Sequence, residues 1–406
     1  MLNLDKNKKY LLACSYGPDS MALFAMLIKG KYSFGVAHVN YHLRKESDDE
    51  ENGLREYCQK HKVELNVLNV TENISKNVEA KCREIRYEYF NNLCLKNGYN
   101  ALLVAHNEDD LIETYLLQKR RKNLVKCYGI NQISSYKNMT VIRPLLSHSK
   151  RELQQYCDDN GIPYAIDKSN LETSFLRNEI RINVVSKMSK TERKDILNQI
   201  NIKNDQLAKM MIKLDKIEPL VDALLTLNGE ELSYYLNMMV NKGGYKFNIT
   251  HKNVEEVRKM MFSQTTNIVA PVRSGRYVFE KSYGELIFRE NSRFNGYSFI
   301  IDKPELIDNE YFYANLLSDT SNRNIKLNDY PLTIRTYHSG DTYLIKDYRV
   351  QVRRLFIDWK MPQSFRERWP IILNKDGVII YIPRYRSGFV PEKESNFYVK
   401  ECFTFH

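Results

Sequence analysis

Residues 11–27 read LLACSYGPDSMALFAML, in which an apolar run stops at a turn of small residues and then resumes with helical spacing. A strand that ends in such a turn and opens a helix commonly binds an anion, because the unpaired amides of the turn and of the first helical turn converge on one spot. The stretch therefore predicts a strand, a phosphate-binding turn and a helix. The alternative is an ordinary turn in which Asp19 or Ser20 caps the helix.

Strand-like and helix-like runs alternate around this stretch up to about residue 190. Such alternation is typical of a parallel sheet whose strands are joined by crossover helices. The expected strands lie at 10–15, 33–40, 63–70 and 101–106, and the expected helices at 19–30, 48–61, 77–98 and 108–122.

Beyond residue 190 the predicted secondary structure changes twice along the chain. The pattern is mainly helical from 191 to about 290, with a short mixed region at 267–290, and strand-like runs dominate beyond about residue 330. The predicted fold class is α/β, with an N-terminal doubly wound, Rossmann-like parallel sheet, a helical middle domain and a small α+β C-terminal domain. The predicted domains span residues 1–190, 191–299 and 300–406.

The composition narrows the class of function. The 406 residues include 61 Lys and Arg against 50 Asp and Glu, a net charge of +11 that favours a polyanionic partner such as nucleic acid. The seven cysteines form no C-x-x-C pair, which argues against a zinc ribbon, an iron–sulfur site or a disulfide framework. Neither a signal peptide nor an apolar run long enough to span a bilayer is evident, so we expect a cytoplasmic protein without a membrane segment.

The turn after the first expected strand differs from the common P-loop. That loop ends in a lysine that reaches the β- and γ-phosphates, whereas this turn carries Asp19 where a cation would be expected. A carboxylate beside a phosphate cradle can hold Mg²⁺, which bridges protein and phosphate oxygens. A loop that grips the β- and γ-phosphates leaves the α-phosphorus open to attack, so the turn predicts adenylation with release of pyrophosphate.

Acidic residues recur with helical spacing just beyond the fourth expected strand. His106, Asp109 or Asp110, and Glu113 share one helix face at the sheet edge where open α/β folds bind ligands. The alternative is an acidic first turn that stabilises its own helix.

Several arginines are candidates for contacts with phosphate or RNA, although each is also compatible with a solvated surface. They are Arg83 and Arg86 in one helix, Arg121, Arg143 before a proline, and Arg177, Asn178 and Arg181 after a turn at 167–170. Near the C-terminus Arg353 and Arg354 alternate with aromatic residues that could stack on RNA bases or form a core, namely Tyr343, Phe356, Trp359 and Trp369.

Two of these motifs carry a family resemblance. The S-x-G-P-D-S turn after the first strand and AHNEDDLIET at 105–114 after the fourth resemble the N-type ATP pyrophosphatases, and among them the tRNA ligases that form lysidine. Further matches are AHVNYHLR at 37–44, KCREIRYEYF at 81–90, RPLL at 143–146, DKSNLETSFLRNEIR at 167–181, HSGDTYLI at 338–345, RRLFIDWKMP at 353–362, Arg366, WPIIL at 369–373 and GVIIYIP at 377–383.

The resemblance implies a reaction. ATP adenylates the 2-carbonyl oxygen of the wobble cytidine in the CAU-anticodon isoleucine tRNA, and free L-lysine then displaces AMP to form lysidine. The implied cofactors are ATP and Mg²⁺, and a homodimer is possible. The alternatives are a thiolase-type tRNA-modifying relative and a catalytically inactive RNA-binding relative.

The resemblance also assigns roles to residues. The implied catalytic residues are Asp19, which is also the metal ligand, His106, Asp109, Asp110 and Glu113. The implied nucleotide-binding residues are Ser15, Tyr16, Gly17, Pro18, Asp19, Ser20, Asn40 and Arg86. The implied tRNA- or lysine-binding residues are Arg44, Arg83, Arg121, Arg143, Arg177, Asn178, Arg181, Arg353 and Arg354.

The sequence departs from the family pattern at four places, one of which is KRRKN at 119–123, where the family has a glycine after the arginine that matches Arg121. Tyr16 stands where the family has a glycine, and a Cβ there disfavours a positive φ and a close approach to phosphate. His106-Asn107 replaces His-His, and Tyr41-His42 replaces His-Gly.

Overall fold

The computed structural model describes residues 2–42, 46–71, 78–165, 175–292, 294–317, 325–385 and 397–400. The chain divides into two compact units, Met1–Ala208 and Lys209–His406. The predicted Arg44 and the turn at 167–170 lie outside the described residues.

The first unit is built on one six-stranded sheet. Its strands are β1 (Lys9–Ala13), β2 (Ser33–Asn40), β3 (Leu65–Asn69), β4 (Ala101–Val104), β5 (Ile133–Tyr136) and β6 (Met139–Ile142). Its helices are α1 (Pro18–Lys29), α2 (Ser47–His61), α3 (Val78–Asn97), α4 (Glu108–Arg121), α5 (Lys150–Asp159), α6 (Phe175–Asn183) and the start of α7 (Lys190–Asp215).

The strand order is β3-β2-β1-β4-β6-β5, and every pairing is parallel except that of β5 with β6. Strand β1 lies at the centre, with Ala13 opposite Ala37 of β2 on one side and Val104 of β4 on the other. The order reverses at β1, and such switch points are where open α/β sheets bind ligands. The predicted doubly wound sheet is confirmed.

Alternate residues of β1 enter different cores because successive side chains of a strand point to opposite faces. Tyr10 and Leu12 pack with apolar residues of α1, α2 and α5 on one face. Leu11 packs with residues of α3, among them Phe90, on the other face. Burial on both faces explains why β1 reads as an unbroken apolar run.

The helices that flank the site begin at clear local signals. Helix α1 starts at Pro18, a residue suited to the first helical position, and ends at Gly30. Helices α4 and α5 each begin with a capping box, formed by Asn107 with Asp110 and by Ser149 with Glu152. These caps fix the first turns of both helices at the edge of the sheet.

The second unit combines helices with small antiparallel sheets. It contains α8 (Val221–Leu225), α9 (Gly229–Lys242), α10 (His251–Phe262), α11 (Val352–Asp358) and α12 (Gln363–Arg366). Its strands are β7 (Asn267–Val272), β8 (Tyr277–Ser282), β9 (Glu285–Glu290), β10 (Ser298–Ile301), β11 (Leu306–Asp308), β12 (Phe312–Asn315), β13 (Leu332–Thr336), β14 (Thr342–Ile345), β15 (Tyr348–Gln351), β16 (Pro370–Leu373), β17 (Ile379–Tyr381) and β18 (Phe397–Val399).

The region of mixed character at 267–290 is a three-stranded antiparallel meander, β7-β8-β9. Residues 191–299 are therefore helical only as far as α10, since the strands β7, β8 and β9 replace helices beyond it. In the described ranges, no helix has the length and apolar character needed to cross a membrane.

The aromatic residues near the C-terminus serve the core. Phe356 and Trp369 are buried in one apolar cluster, and Tyr343 and Trp359 pack against it partly buried. The indole nitrogen of Trp369 donates to the carbonyl of Pro383 at 2.7 Å. Of the two interpretations of these aromatics, the structure supports core packing.

Candidate active site

A cavity of about 670 Å³ opens at the carboxyl ends of β1, β2 and β4. Several predicted site residues line it, and they come from the turn after β1, the end of β2, helix α3 and the segment after β4. They are Ser15, Gly17, Pro18, Asp19, Ser20, Asn40, Arg83, Arg86 and His106; Lys150 of α5, which was not predicted, also lines the cavity. The structure thus brings together residues that are up to 135 positions apart in the chain (150 minus 15).

The turn after β1 has the geometry of an anion cradle. Gly17 is the N-cap of α1 and provides no side-chain cap to its first amides. Ser20 lies inside the helix, where its hydroxyl donates to the Gly17 carbonyl at 2.9 Å and accepts from the Ser15 amide at 3.3 Å. Neither Asp19 nor Ser20 caps the helix, so amides of the first turn remain available to a phosphate.

Tyr16 adopts a left-handed backbone with φ of 62°. A residue other than glycine pays roughly 1–2 kcal/mol for this conformation. The Tyr16 ring lies over Gly53 of α2, where a Cβ would collide with the phenol, and the Tyr16 carbonyl accepts from the Ala165 amide at 2.9 Å. The turn therefore keeps the backbone that a glycine would adopt, with the ring packed against α2.

Asp19 carries the features of a cation ligand. Its Oδ1 is buried and has no hydrogen-bond partner among the described residues. Burial raises the pKa of Asp19 to about 6, an effect that Lys150 opposes and Asp110 reinforces. A buried carboxylate oxygen without a partner, beside a phosphate cradle, fits Mg²⁺, which takes one or two carboxylates and completes its shell with phosphates and water.

Lys150 is a cavity residue that the sequence analysis missed. It is the first residue of α5, and its backbone amide donates to Asp109 Oδ1 at 3.1 Å. Helix α5 is held against α1 by apolar packing and by Cys157, whose thiol donates to the Pro18 carbonyl at 3.4 Å. Only this packing brings the lysine beside Asp19, so nothing local in the sequence marks it.

The three acids of α4 that were predicted as catalytic, Asp109, Asp110 and Glu113, belong to an ion-pair network and do not line the cavity. Asp109 accepts two hydrogen bonds of 3.0 Å from Arg193. Glu113 is fully buried and accepts from Arg177 at 3.3 Å and from Arg181 at 2.6 and 3.0 Å. Glu113, predicted as catalytic, is thus the partner of Arg177 and Arg181, which were predicted to bind tRNA or lysine. The partner of Asp109 is Arg193, which was not predicted.

Of the three predicted acids of α4, Asp110 accepts no hydrogen bond from an arginine in the described parts of the chain. Its Oδ2 accepts from the Asn107 amide at 3.1 Å as part of the capping box. Its Oδ1 lies 3.8 Å from Arg177 and 3.6 Å from Arg181, beyond hydrogen-bond length. Asn178, between these arginines, is buried.

His106 and Arg143 form a pair in which Arg143 is buried and His106 is partly buried. Arg143 donates from Nε to His106 Nδ1 at 3.1 Å, and its Nη1 donates to the Asn131 carbonyl at 2.8 Å and to Ser134 at 2.9 Å. Burial lowers the pKa of His106 to about 3, with Arg143 and further arginines contributing. The histidine is therefore neutral at physiological pH.

The remaining predicted residues occupy varied positions. Asn40 is buried at the end of β2 and donates to Asp48 at 2.9 Å and to Glu51 at 3.0 Å. Arg83 lies over the ring of Tyr87, 4.7 Å from its centroid. The exposed predicted arginines are outside the cavity; they are Arg121, Arg353 and Arg354, the last paired with Asp358 at 3.2 Å.

Comparison with known proteins identifies the family. The PP-loop domain family matches residues 1–188. A tRNA(Ile)-lysidine synthase of Mycoplasma mycoides is 30% identical over 404 residues, covering 94% of this chain and 98% of the relative. A tRNA(Ile)-lysidine synthase of Staphylococcus aureus is 29% identical over 405 residues, with 92% of each chain covered.

Among solved structures, a U34-tRNA thiolase from Methanococcus maripaludis matches 50% of this chain and 74% of its own, with a TM-score of 0.43 and 16% identity. The alignment with the Mycoplasma relative spans nearly the whole of both proteins. It therefore includes both compact units of this chain, Met1–Ala208 and Lys209–His406. The chain belongs to the tRNA(Ile)-lysidine synthase family.

Proposed function

We propose that this protein uses ATP to join L-lysine to C2 of the wobble cytidine of the CAU-anticodon isoleucine tRNA, forming lysidine and releasing AMP and pyrophosphate. The observation that carries the proposal is the uncapped turn at 15–20, in which one Asp19 oxygen has no partner among the described residues, in a chain that aligns over 94% of its length with a lysidine synthase. A tRNA substrate agrees with the net charge of +11 and with the expected cytoplasmic location.

In the first step the cytidine O2 attacks the α-phosphorus of ATP and pyrophosphate leaves. Amides of the turn at 15–20 hold the β- and γ-phosphates, and Lys150, Arg83 and Arg86 supply positive charge around them. Asp19 is placed to hold Mg²⁺, which would neutralise charge on the phosphates. The cradle thus grips the leaving group and leaves the α-phosphorus accessible.

In the second step the ε-amine of lysine attacks C2 and AMP leaves. The amine must be neutral, and with an ordinary pKa of about 10.4 this costs about 4.6 kcal/mol at pH 7. Asp110 is the α4 carboxylate with an oxygen beyond hydrogen-bond length of its arginines, so it is the best placed to receive the ammonium group. Glu113 is saturated by Arg177 and Arg181 and orders the helix instead.

The arginines of α11 are the candidates for contact with tRNA in the C-terminal unit. Arg353 and Arg354 are exposed on α11, and Phe356 is one of the buried apolar residues of the same helix. Because the neighbouring aromatics form the core, we assign RNA binding here to charge contacts with phosphates and not to base stacking.

One assay tests the function. Purified protein is incubated with ATP, Mg²⁺, labelled lysine and a transcript of the isoleucine tRNA, and the wobble nucleoside is analysed by mass spectrometry. We expect lysidine with equimolar AMP and pyrophosphate, no product when arginine or ornithine replaces lysine, and none on initiator methionine tRNA, which shares the anticodon. Formation of ADP and phosphate, or an unchanged cytidine, would refute the proposal.

A further inference from the structure

The hydrogen bond between Arg143 and His106 determines which ring nitrogen carries the proton. A guanidinium is always protonated in proteins and has donors only. Because Arg143 Nε donates to His106 Nδ1 at 3.1 Å, Nδ1 must present a lone pair. A neutral imidazole with an unprotonated Nδ1 carries its proton on Nε2.

The arginine that imposes this tautomer is itself fixed. Arg143 is only 7% exposed, and its Nη1 bonds the Asn131 carbonyl and the Ser134 hydroxyl of β5. Protonation of His106 at Nδ1 would set two donors against each other in a buried site. The ring thus has one available form, with Nδ1 accepting and Nε2 bearing hydrogen.

The register of the sheet places His106 beside the phosphate cradle. Ala13 of β1 pairs with Val104 of β4. Ser15 lies two residues after Ala13, and His106 lies two residues after Val104. Both residues line the cavity, and in the described parts of the chain His106 Nε2 has no partner. The α-phosphate is covalently joined to the pyrophosphate that the turn at 15–20 would hold, so it would lie in the same cavity as the histidine.

We propose that His106 is a fixed hydrogen-bond donor, through Nε2–H, to an α-phosphoryl oxygen of the bound nucleotide, and that Arg143 is the positioning residue that sets this tautomer. The inference rests on the proposed function for the identity of the nucleotide. The hydrogen bond strengthens as negative charge collects on that oxygen during displacement of pyrophosphate, and no proton is transferred. His106 is consequently unable to deprotonate lysine, because its one lone pair faces Arg143.

The tautomer can be measured without any reaction. In protein labelled with ¹⁵N-histidine, long-range ¹H–¹⁵N correlation distinguishes Nε2–H from Nδ1–H rings, and the His106 signal is assigned by its loss in His106→Gln. We expect an Nε2–H ring that does not titrate between pH 5 and 8 in the wild-type protein, and an additional Nδ1–H form in Arg143→Met, where the donor that holds Nδ1 as an acceptor is gone. An Nδ1–H or an imidazolium signal in the wild-type protein at pH 7 would overturn the inference.

Three substitutions then separate a donor from a base. The amide nitrogen introduced by His106→Gln reaches the place of Nε2, whereas His106→Asn puts its amide near the place of Nδ1 and His106→Ala has none. With pyrophosphate release as readout, we expect the Gln variant to stay within about tenfold of wild type, while the Asn and Ala variants lose about 10²- to 10³-fold, as for other single oxyanion donors.

Equal losses in all three variants, with unchanged nucleotide affinity, would overturn the donor role and favour a base. Nucleotide affinity is measured separately with a fluorescent ATP analogue, and circular dichroism verifies the fold of each variant. A wild-type protein that releases pyrophosphate but forms no lysidine would refute the proposed function, and the tautomer measurement would still stand or fall by itself.

Discussion

Asp19 and Glu113 are both carboxylates withdrawn from solvent in the first unit, yet their surroundings are opposite. Asp19 has a buried oxygen with no partner in the described structure and a pKa raised to about 6. Glu113 is fully buried and accepts three hydrogen bonds from two arginines. An unsatisfied buried charge costs stability and indicates a ligand, whereas a saturated one holds the scaffold together.

The variant Asp19→Asn tests whether the Asp19 carboxylate holds a metal ion. We expect pyrophosphate release to fall by about 10³-fold or more, because the phosphates lose their metal clamp. Lysine-independent exchange of ATP with labelled pyrophosphate in the presence of tRNA measures the first step alone. Asp195→Asn, an exposed change on α7, is the control and should leave the exchange rate unaltered. Exchange at the wild-type rate in Asp19→Asn would remove the metal role.

The same variant should gain stability at neutral pH. The folded protein binds a proton at Asp19 more tightly than the unfolded chain, with a pKa of about 6 against 3.8, so this residue lowers stability as pH rises through that window. Asp19→Asn should therefore exceed the wild type by roughly 3 kcal/mol at pH 7 and by almost nothing below pH 4. Urea unfolding at both pH values measures the difference, and a less stable variant at pH 7 would contradict the raised pKa.

Glu113→Gln should behave in the opposite way. Removing this charge leaves Arg177 and Arg181 without their buried partner, which typically costs about 3–5 kcal/mol. The measurement is again urea unfolding, with Glu179→Gln as the control, since Glu179 forms an exposed pair with Arg120 and should change stability by less than about 1 kcal/mol. A Glu113→Gln protein of wild-type stability that has lost lysine transfer would make Glu113 catalytic.

Lys150 provides a smaller test within the cavity. Lys150→Met removes one charged contact with the phosphates, a loss of about 1.5–3 kcal/mol, so inhibition by pyrophosphate should weaken by about 10- to 100-fold. Lys150→Arg should recover part of that affinity, which a purely structural role would not predict. Lys194→Met, an exposed change, serves as the control. Unchanged inhibition by pyrophosphate in Lys150→Met would exclude the contact.

The elements that were predicted from the sequence are those whose signals lie in neighbouring residues. The strand β1, the turn and α1 are adjacent in the chain. The spacing of their apolar residues, together with Pro18, identifies them without any tertiary contact. The hairpin β5–β6 was missed because its strands are four residues long and only partly buried. The meander at 267–290 was expected only as a region of mixed character, although its three strands are six residues long.

The parts of the site that escaped prediction are made by packing across the chain. Arg143 reaches His106 only because β6 lies next to β4 in the sheet, 37 residues away in sequence. The acids of α4 were expected in the cavity, but α6 brings two arginines onto Glu113 and fills its hydrogen bonds. Helical spacing indicates which residues share a face of the helix, but it does not predict which residues pack against that face.

The smallest expected effect concerns Tyr16 and Gly53. In the wild-type background Gly53→Ala forces a methyl group into the Tyr16 phenol, and such overpacking costs about 1–3 kcal/mol. In a Tyr16→Gly background the ring is absent, so the same alanine should stabilise α2 by up to about 1 kcal/mol through its helix propensity.

A double-mutant cycle on unfolding free energies isolates this coupling between loop and helix. Asn52→Ala is the matched control, since residue 52 is exposed on the same helix and should have the same effect in both backgrounds. If Gly53→Ala changes stability equally in the wild-type and the Tyr16→Gly backgrounds, the ring does not rest on α2. The left-handed turn would then be held by the hydrogen bond from Ala165 to the Tyr16 carbonyl, and the strain at φ of 62° would have no compensation from the aromatic side chain.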